Sequence, residues 1–141
     1  MSIVQGQCTI FKQNCLSALE NFAVGTPYTY KIALYTASAD LDETTLAYTS
    51  VGEVTGTGYT AGGKTLTISQ VPTSSGYTAY ISFDNVTWNP ANFTTRGALI
   101  YNSTTGAAAA VLNFGADKTP TTSFTITFPA ASSTTAILRL T

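Results

Sequence analysis

The chain has 141 residues, of which 9% are charged, with a formal net charge of −1 and no histidine. A chain of this length forms one domain and buries roughly two thirds of the surface its unfolded form exposes, enough to support its own core. Six Lys and Arg residues spread thinly leave no basic stripe for phosphates, which excludes nucleic acid as a partner, and the absence of imidazole removes the commonest acid–base group at neutral pH.

The opening residues, Met1 to Gln7, lack the basic start and apolar stretch of a secretory signal, and no later segment approaches about 18 apolar residues in a row. The expectation is a protein made in the cytoplasm, with no membrane partner. Cys8 and Cys15 are the only cysteines. On one helix they would lie roughly 10 Å apart, too far for a disulfide, and their spacing matches no zinc pattern. Reduced, partly buried thiols are expected, with no metal and no cofactor.

A single helix is predicted from about residue 10 to 23, with Thr9 as N-cap and Gly25 and Pro27 ending the run. Phe11, Cys15, Leu19 and Phe22 recur at helical spacing on one face, while Lys12, Gln13, Asn14 and Glu20 cover the others. From Pro27 onward the period changes to two. Threonine occupies 27 positions, and in Phe124-Thr125-Ile126-Thr127-Phe128 or Leu66-Thr67-Ile68-Ser69 it alternates with apolar residues. This is the pattern of a strand buried on one face and wet on the other.

Strands are predicted at 28–35, 64–71, 77–83, 97–101, 108–114, 123–128 and 135–140, with turns at Pro72–Gly76 and Asn102–Gly106. The fold class is therefore mainly β, an antiparallel β-sandwich of jelly-roll or immunoglobulin-like type with one N-terminal α-helix, in a single domain. Its predicted core contains Phe11, Leu19, Ile32, Leu34, Leu66, Ile68, Ile81, Phe83, Ile100, Leu112, Phe124, Ile126 and Leu138.

Residues Gly58 to Thr65 fit the phosphate-binding pattern G-x-x-x-x-G-K-[ST] through Gly58, Gly63, Lys64 and Thr65. A working P-loop follows a parallel strand and opens a helix, whose N-terminus holds the phosphates. Here a period-two segment with a proline follows, so the match is read as coincidental. Asp40-Leu41-Asp42-Glu43 is an acidic cluster without the glycine turn of a calcium loop, and reads as a solvated loop. Asp84, Asn85, Trp88 and Asn89 place the only tryptophan among amide and carboxylate groups, a candidate interface or glycan contact, against the simpler reading of a turn feeding a core Trp. The three N-x-[ST] matches follow from a composition rich in Thr and Asn. Without histidine, Ser–His and Cys–His pairs do not exist, and the scattered carboxylates suggest no glycosidase pair, so no enzyme is expected.

Four segments together, Tyr30–Thr36, Glu53–Leu66, Arg96–Asn102 and Val111–Gly115, resemble a family of short virion proteins of tailed bacteriophages, with the similarity running from about Phe11 to the C-terminus. The resemblance implies a structural component of the particle. The expected role is a capsid decoration or cement protein, a homo-oligomer bound to the major capsid protein on the capsid exterior. The alternative is a tail or fibre component that contacts the host surface. The short length, without heptads or repeats, favours decoration.

Overall fold

The computed structural model describes residues 2–141. It is mainly β, with antiparallel sheets and one helix. The elements are β1 (Gly6–Gln7), α1 (Thr9–Leu16), β2 (Tyr30–Tyr35), β3 (Lys64–Thr65), β4 (Ile68–Ser75), β5 (Thr78–Phe83), β6 (Val86–Trp88), β7 (Thr95–Asn102), β8 (Ala108–Lys118), β9 (Phe124–Ile126) and β10 (Leu138–Leu140). They form a five-stranded sheet in the order β1-β8-β7-β2-β3, a three-stranded sheet β10-β5-β4 and a two-stranded sheet β6-β9.

The centre of the larger sheet is the β2–β7 ladder, in register from Tyr30↔Asn102 to Tyr35↔Gly97. Apart from half-buried Lys31 and Arg96, every residue of both strands is buried. Burial on both faces explains why Ile32-Ala33-Leu34-Tyr35 and Ala98-Leu99-Ile100-Tyr101 are continuous apolar runs rather than alternating ones. Ala108, Ala109 and Ala110 continue this core into β8 with side chains small enough for α1 and β1 to pack closely. Alanine favours helix, so tertiary packing overrides local preference there.

Two aromatic clusters join the layers. Phe22 stacks on Tyr30 at 4.3 Å and meets Phe11 and Phe83 edge-on at 6.0 and 6.2 Å, tying the segment after α1 to both β2 and β5. Phe124 lies about 6 Å from each of Trp88, Phe93 and Phe114, and so locks β9 and β6 against β8. Such pairs contribute roughly 0.5–1.5 kcal/mol each beyond the area they bury.

Several expectations are corrected. The helix stops at Leu16 instead of continuing to residue 23. Ala18 is left-handed with φ 59°, and the N–H groups of Ala18 and Leu19 donate to the carbonyls of Cys15 and Asn14 at 3.3 and 2.8 Å. This double bond is a Schellman ending, which Gly normally occupies. Beyond it the chain turns away, so Leu19 is 47% exposed and leaves the predicted core, while Phe22 reaches it from an irregular segment. Cys8, not Thr9, is the N-cap, and its side chain makes no capping bond.

The predicted strand 64–71 is two strands in different sheets, broken where Leu66 N–H bonds to Tyr30 O at 2.8 Å. Nor does Pro72 end the second of them. β4 is an edge strand, where a missing N–H costs no ladder bond. β1 and β6 are short strands that the sequence reading did not contain. Ile68, Leu112 and Phe124 are partly buried against the core, and the other predicted core residues except Leu19 are buried.

The Ala18 cap generates a direct test. A left-handed Ala costs roughly 1–2 kcal/mol relative to Gly, and the extra freedom of Gly in the unfolded chain offsets part of that. Ala18→Gly should raise stability by about 0.5–1 kcal/mol in urea denaturation. A loss of stability would show that the ending is not under strain.

Candidate functional site

The P-loop-like segment has a structural role. Both Gly58 and Gly63 have positive φ, and a Cβ on either would lie 1.8 Å from a carbonyl oxygen, that of Pro90 for Gly58 and that of Ile32 for Gly63. These glycines are demanded by backbone packing against backbone. Lys64 and Thr65 form β3 at the sheet edge, and the Lys64 ammonium donates to Thr87 O at 2.6 Å while standing 5.9 Å from the Trp88 ring centroid. A strand, not a helix, follows Gly63, so no helix N-terminus stands where a phosphate would need one.

The loop containing these glycines is clamped by a group that sequence reasoning missed. Glu53 is half-buried. Its Oε1 accepts a bond from the Tyr48 hydroxyl at 2.6 Å, and its Oε2 accepts from the Tyr59 hydroxyl and from Gly62 N–H at 2.8 Å. Tyr59 in turn accepts Leu34 N–H at 2.9 Å, filling the place of a neighbouring strand beside β2. Tyr101 donates to Gly62 O at 2.6 Å and stacks on Tyr48 at 4.8 Å. Burial, reinforced by the neighbouring carboxylate, holds the Tyr48, Tyr59 and Tyr101 hydroxyls above their ordinary range, so they act as neutral donors. No local motif marks this cluster, because its members come from three separate stretches of chain.

The Asp84–Asn89 segment is divided by β6. Trp88 is 1% exposed and packs inward, leaving no open ring face. Asn85 Oδ1 accepts Phe128 N–H at 3.0 Å, while Asp84 and Asn89 are exposed at opposite ends of the strand. In the acidic loop, Leu41 is buried and Asp42 accepts from the Thr44 hydroxyl and from Thr44 N–H, bonds that lower the Asp42 carboxyl below its usual range. Among the described residues no group of three or more His, Cys, Asp or Glu is placed to hold a metal ion. Burial, with Asp42 and Glu43 nearby, pushes the Cys8 thiol up to about 11, and burial beside Glu20 does the same to Cys15. Both cysteines are free and are protonated at neutral pH.

What the structure does assemble is an exposed hairpin beside an apolar cleft on the three-stranded sheet. β4 and β5 form a hairpin whose outer part projects from the body, with Gly76 and Tyr77 at its tip. Gly76 has φ 60° at the first central position of the two-residue turn, the arrangement that suits a right-twisted hairpin. Tyr77 is 97% exposed. Along β5, between α1 and β10, lies an apolar cleft of about 130 Å³ lined by Phe11, Cys15, Phe22, Ala79, Ile81 and Leu138. Leu16 and Val24, before and after Phe22 in the chain, are 92% and 88% exposed. No helix among the described residues is long and apolar enough to cross a membrane. No protein-family model, curated protein or solved structure matches the chain.

Glu20 holds the segment after α1 in place. Its Oε1 accepts from Asn102 Nδ2 at 2.9 Å and from the Tyr30 hydroxyl at 3.1 Å, whereas Oε2 is buried without a partner. Burial therefore raises the Glu20 carboxyl above its usual value of 4.5, against the lowering effect of those bonds. The neighbouring titratable groups, Cys15 and Tyr30, are both neutral at pH 7, so no cation offsets the burial.

Two predictions follow from these sites. Gly63→Ala should cost at least about 3 kcal/mol in thermal or urea unfolding, because backbone atoms must move, whereas Lys64→Ala should cost no more than about 1 kcal/mol and leave no nucleotide-dependent shift in Tm. Equal costs, or a nucleotide shift that needs Lys64, would contradict the packing role. For Glu20, a folded pKa above the unfolded one means that its contribution is fully present below pH 4.5 and is lost as pH rises through the raised value. Glu20→Gln should thus be the more stable protein at pH 7, with the gap closing toward pH 4. A gap independent of pH would contradict a raised Glu20 carboxyl.

Proposed function

We propose that the protein is a structural component of a tailed-phage particle, a decoration or cement protein that binds the major capsid lattice from outside and stabilises the head. The carrying observation is the surface itself. A projecting hairpin with no charged residue between Lys64 and Asp84 stands beside an apolar cleft, on a chain with six basic and seven acidic side chains in all. The single ion pair among the described residues, Arg96–Asp117 at 3.5 Å, is exposed. Such a surface suits attachment through apolar burial, hydroxyls and backbone groups, and has few charges to spend on catalysis or on phosphates.

The four segments that resemble phage virion proteins support the particle. On this reading the chain is made in the host cytoplasm, and its partners are the capsid protein and further copies of itself. Exposed ion pairs contribute roughly 0–1 kcal/mol and are screened by salt, while an interface of about 1,600 Å² rests on uncharged contacts. Particles washed in about 1 M NaCl should therefore keep the protein. Particles assembled without it should form but burst at lower temperature, and purified virions should carry it in hundreds of copies, in keeping with lattice symmetry. Quantitative release by salt would contradict the interface chemistry. About a dozen copies or fewer, with unchanged heat tolerance, would move the protein to the tail.

A further inference from the structure

We propose that two copies of this chain clasp one another, the Tyr77 ring of each seated in the apolar cleft of the other. The cleft holds about 130 Å³ and its lining is almost wholly apolar. A dry cavity of about 150 Å³ lined by such side chains accommodates benzene, so one phenol ring is the right size of occupant. Tyr77 is the aromatic that the same molecule offers: it is 97% exposed, stands at the hairpin tip and makes no hydrogen bond. A large aromatic with no contact of its own is the kind of side chain that anchors interfaces.

The placement makes the contact reciprocal. Tyr77 lies two residues from Ala79 and four from Ile81, both of which line the cleft, so about 7 to 13 Å separate them along an extended strand. Two hairpins laid antiparallel about a two-fold axis, overlapping by that length, put each tip against the other's cleft. An isologous contact of this kind closes at two copies and does not propagate. Charge permits it as well. Neither β4, β5 nor their turn carries a charge, and no carboxylate lines the cleft. Arg139, whose Nη1 donates to Thr134 O at 2.6 Å, is the one charged residue of the lining.

Two inserted tyrosines cover roughly 300–500 Å² of their own surface and a similar area of lining, below the 1,200–2,000 Å² of a stable interface. Leu140, exposed in the lining of the cleft, supplies a little further cover, so the clasp is a reversible one, in exchange with monomer. This goes beyond the particle reading and stands without it. Its test uses purified protein only, so failure here leaves the capsid assignment untouched.

Sedimentation velocity of the full chain from about 1 to 300 µM spans the affinity range of such an interface. Wild type and Tyr77→Phe should show a concentration-dependent monomer–dimer equilibrium. Tyr77→Ala should weaken it by about 30-fold or more, the size of an aromatic hot spot. Ala79→Phe, an exposed strand position that lines the cleft, should fill it from within and dissociate the dimer equally. Both altered positions are exposed, and an unchanged Tm confirms the fold. A monomer throughout, a dimer indifferent to Tyr77→Ala, or loss on Tyr77→Ala without loss on Ala79→Phe would each overturn the clasp. Open-ended growth with concentration would overturn its two-fold closure.

Discussion

Strands β2 and β7 are buried on both faces, and this demand for cover organises the rest of the molecule. A sheet with one wet face needs only a single layer beneath it, whereas this ladder needs two. One face of the need is met by the aromatic cluster of Phe11, Phe22, Tyr30 and Phe83, which brings the three-stranded sheet and the segment after α1 onto β2. The long loop between β2 and β3 supplies further cover. It carries no extended strand pairing of its own, so Glu53 and the tyrosines around it tie the loop down, and Gly58 and Gly63 let it approach at backbone distance.

At the margins the same economy of charge recurs. Gln7 donates through Nε2 to Arg139 O at 2.8 Å and accepts Arg139 N–H at 2.6 Å, so one side-chain amide continues the ladder from β1 to β10. Gln5 accepts Asn113 N–H at 3.0 Å in a similar way beside β8. Threonine hydroxyls pair across Thr87 and Thr125 on β6 and β9, and across Thr94 and Thr119. Neutral amides and hydroxyls satisfy edge groups without the desolvation penalty of ions and without sensitivity to salt.

The hairpin and the cleft beside it have a related origin. Pro72 is tolerated because β4 has no outer neighbour, and Gly76 turns the chain tightly enough for the hairpin to project. The early end of α1 at Ala18 then leaves Leu16 and Leu19 outside and sends Phe22 back to the sheet. The cleft is the space left between these two decisions. Neither is visible as a motif. Gly76 reads simply as a turn, and Phe22 reads as the last apolar position of a helix that does not extend that far.

The alternation of threonine with apolar residues, together with the helical spacing of apolar residues before Pro27, determined, without any coordinates, that the chain is an antiparallel β protein with one N-terminal helix. Apolar positions within the predicted strands also marked most of the core, since Ile32, Leu34, Ile81, Phe83, Ile100 and Leu138 are all buried. Period-two patterning is a local property, written within each strand. The P-loop match was likewise dismissed on local grounds, by the strand that follows it. Strand order, the break at Leu66, the inward turn of Trp88, the Glu53 clamp and the cleft were decided by tertiary structure alone. Each depends on which distant segment comes to lie beside it, through pairings such as Tyr48 with Tyr101, Gln7 with Arg139 and Phe22 with Phe83. Such neighbours are set by burial summed over the whole chain, and no window of a few residues contains that sum.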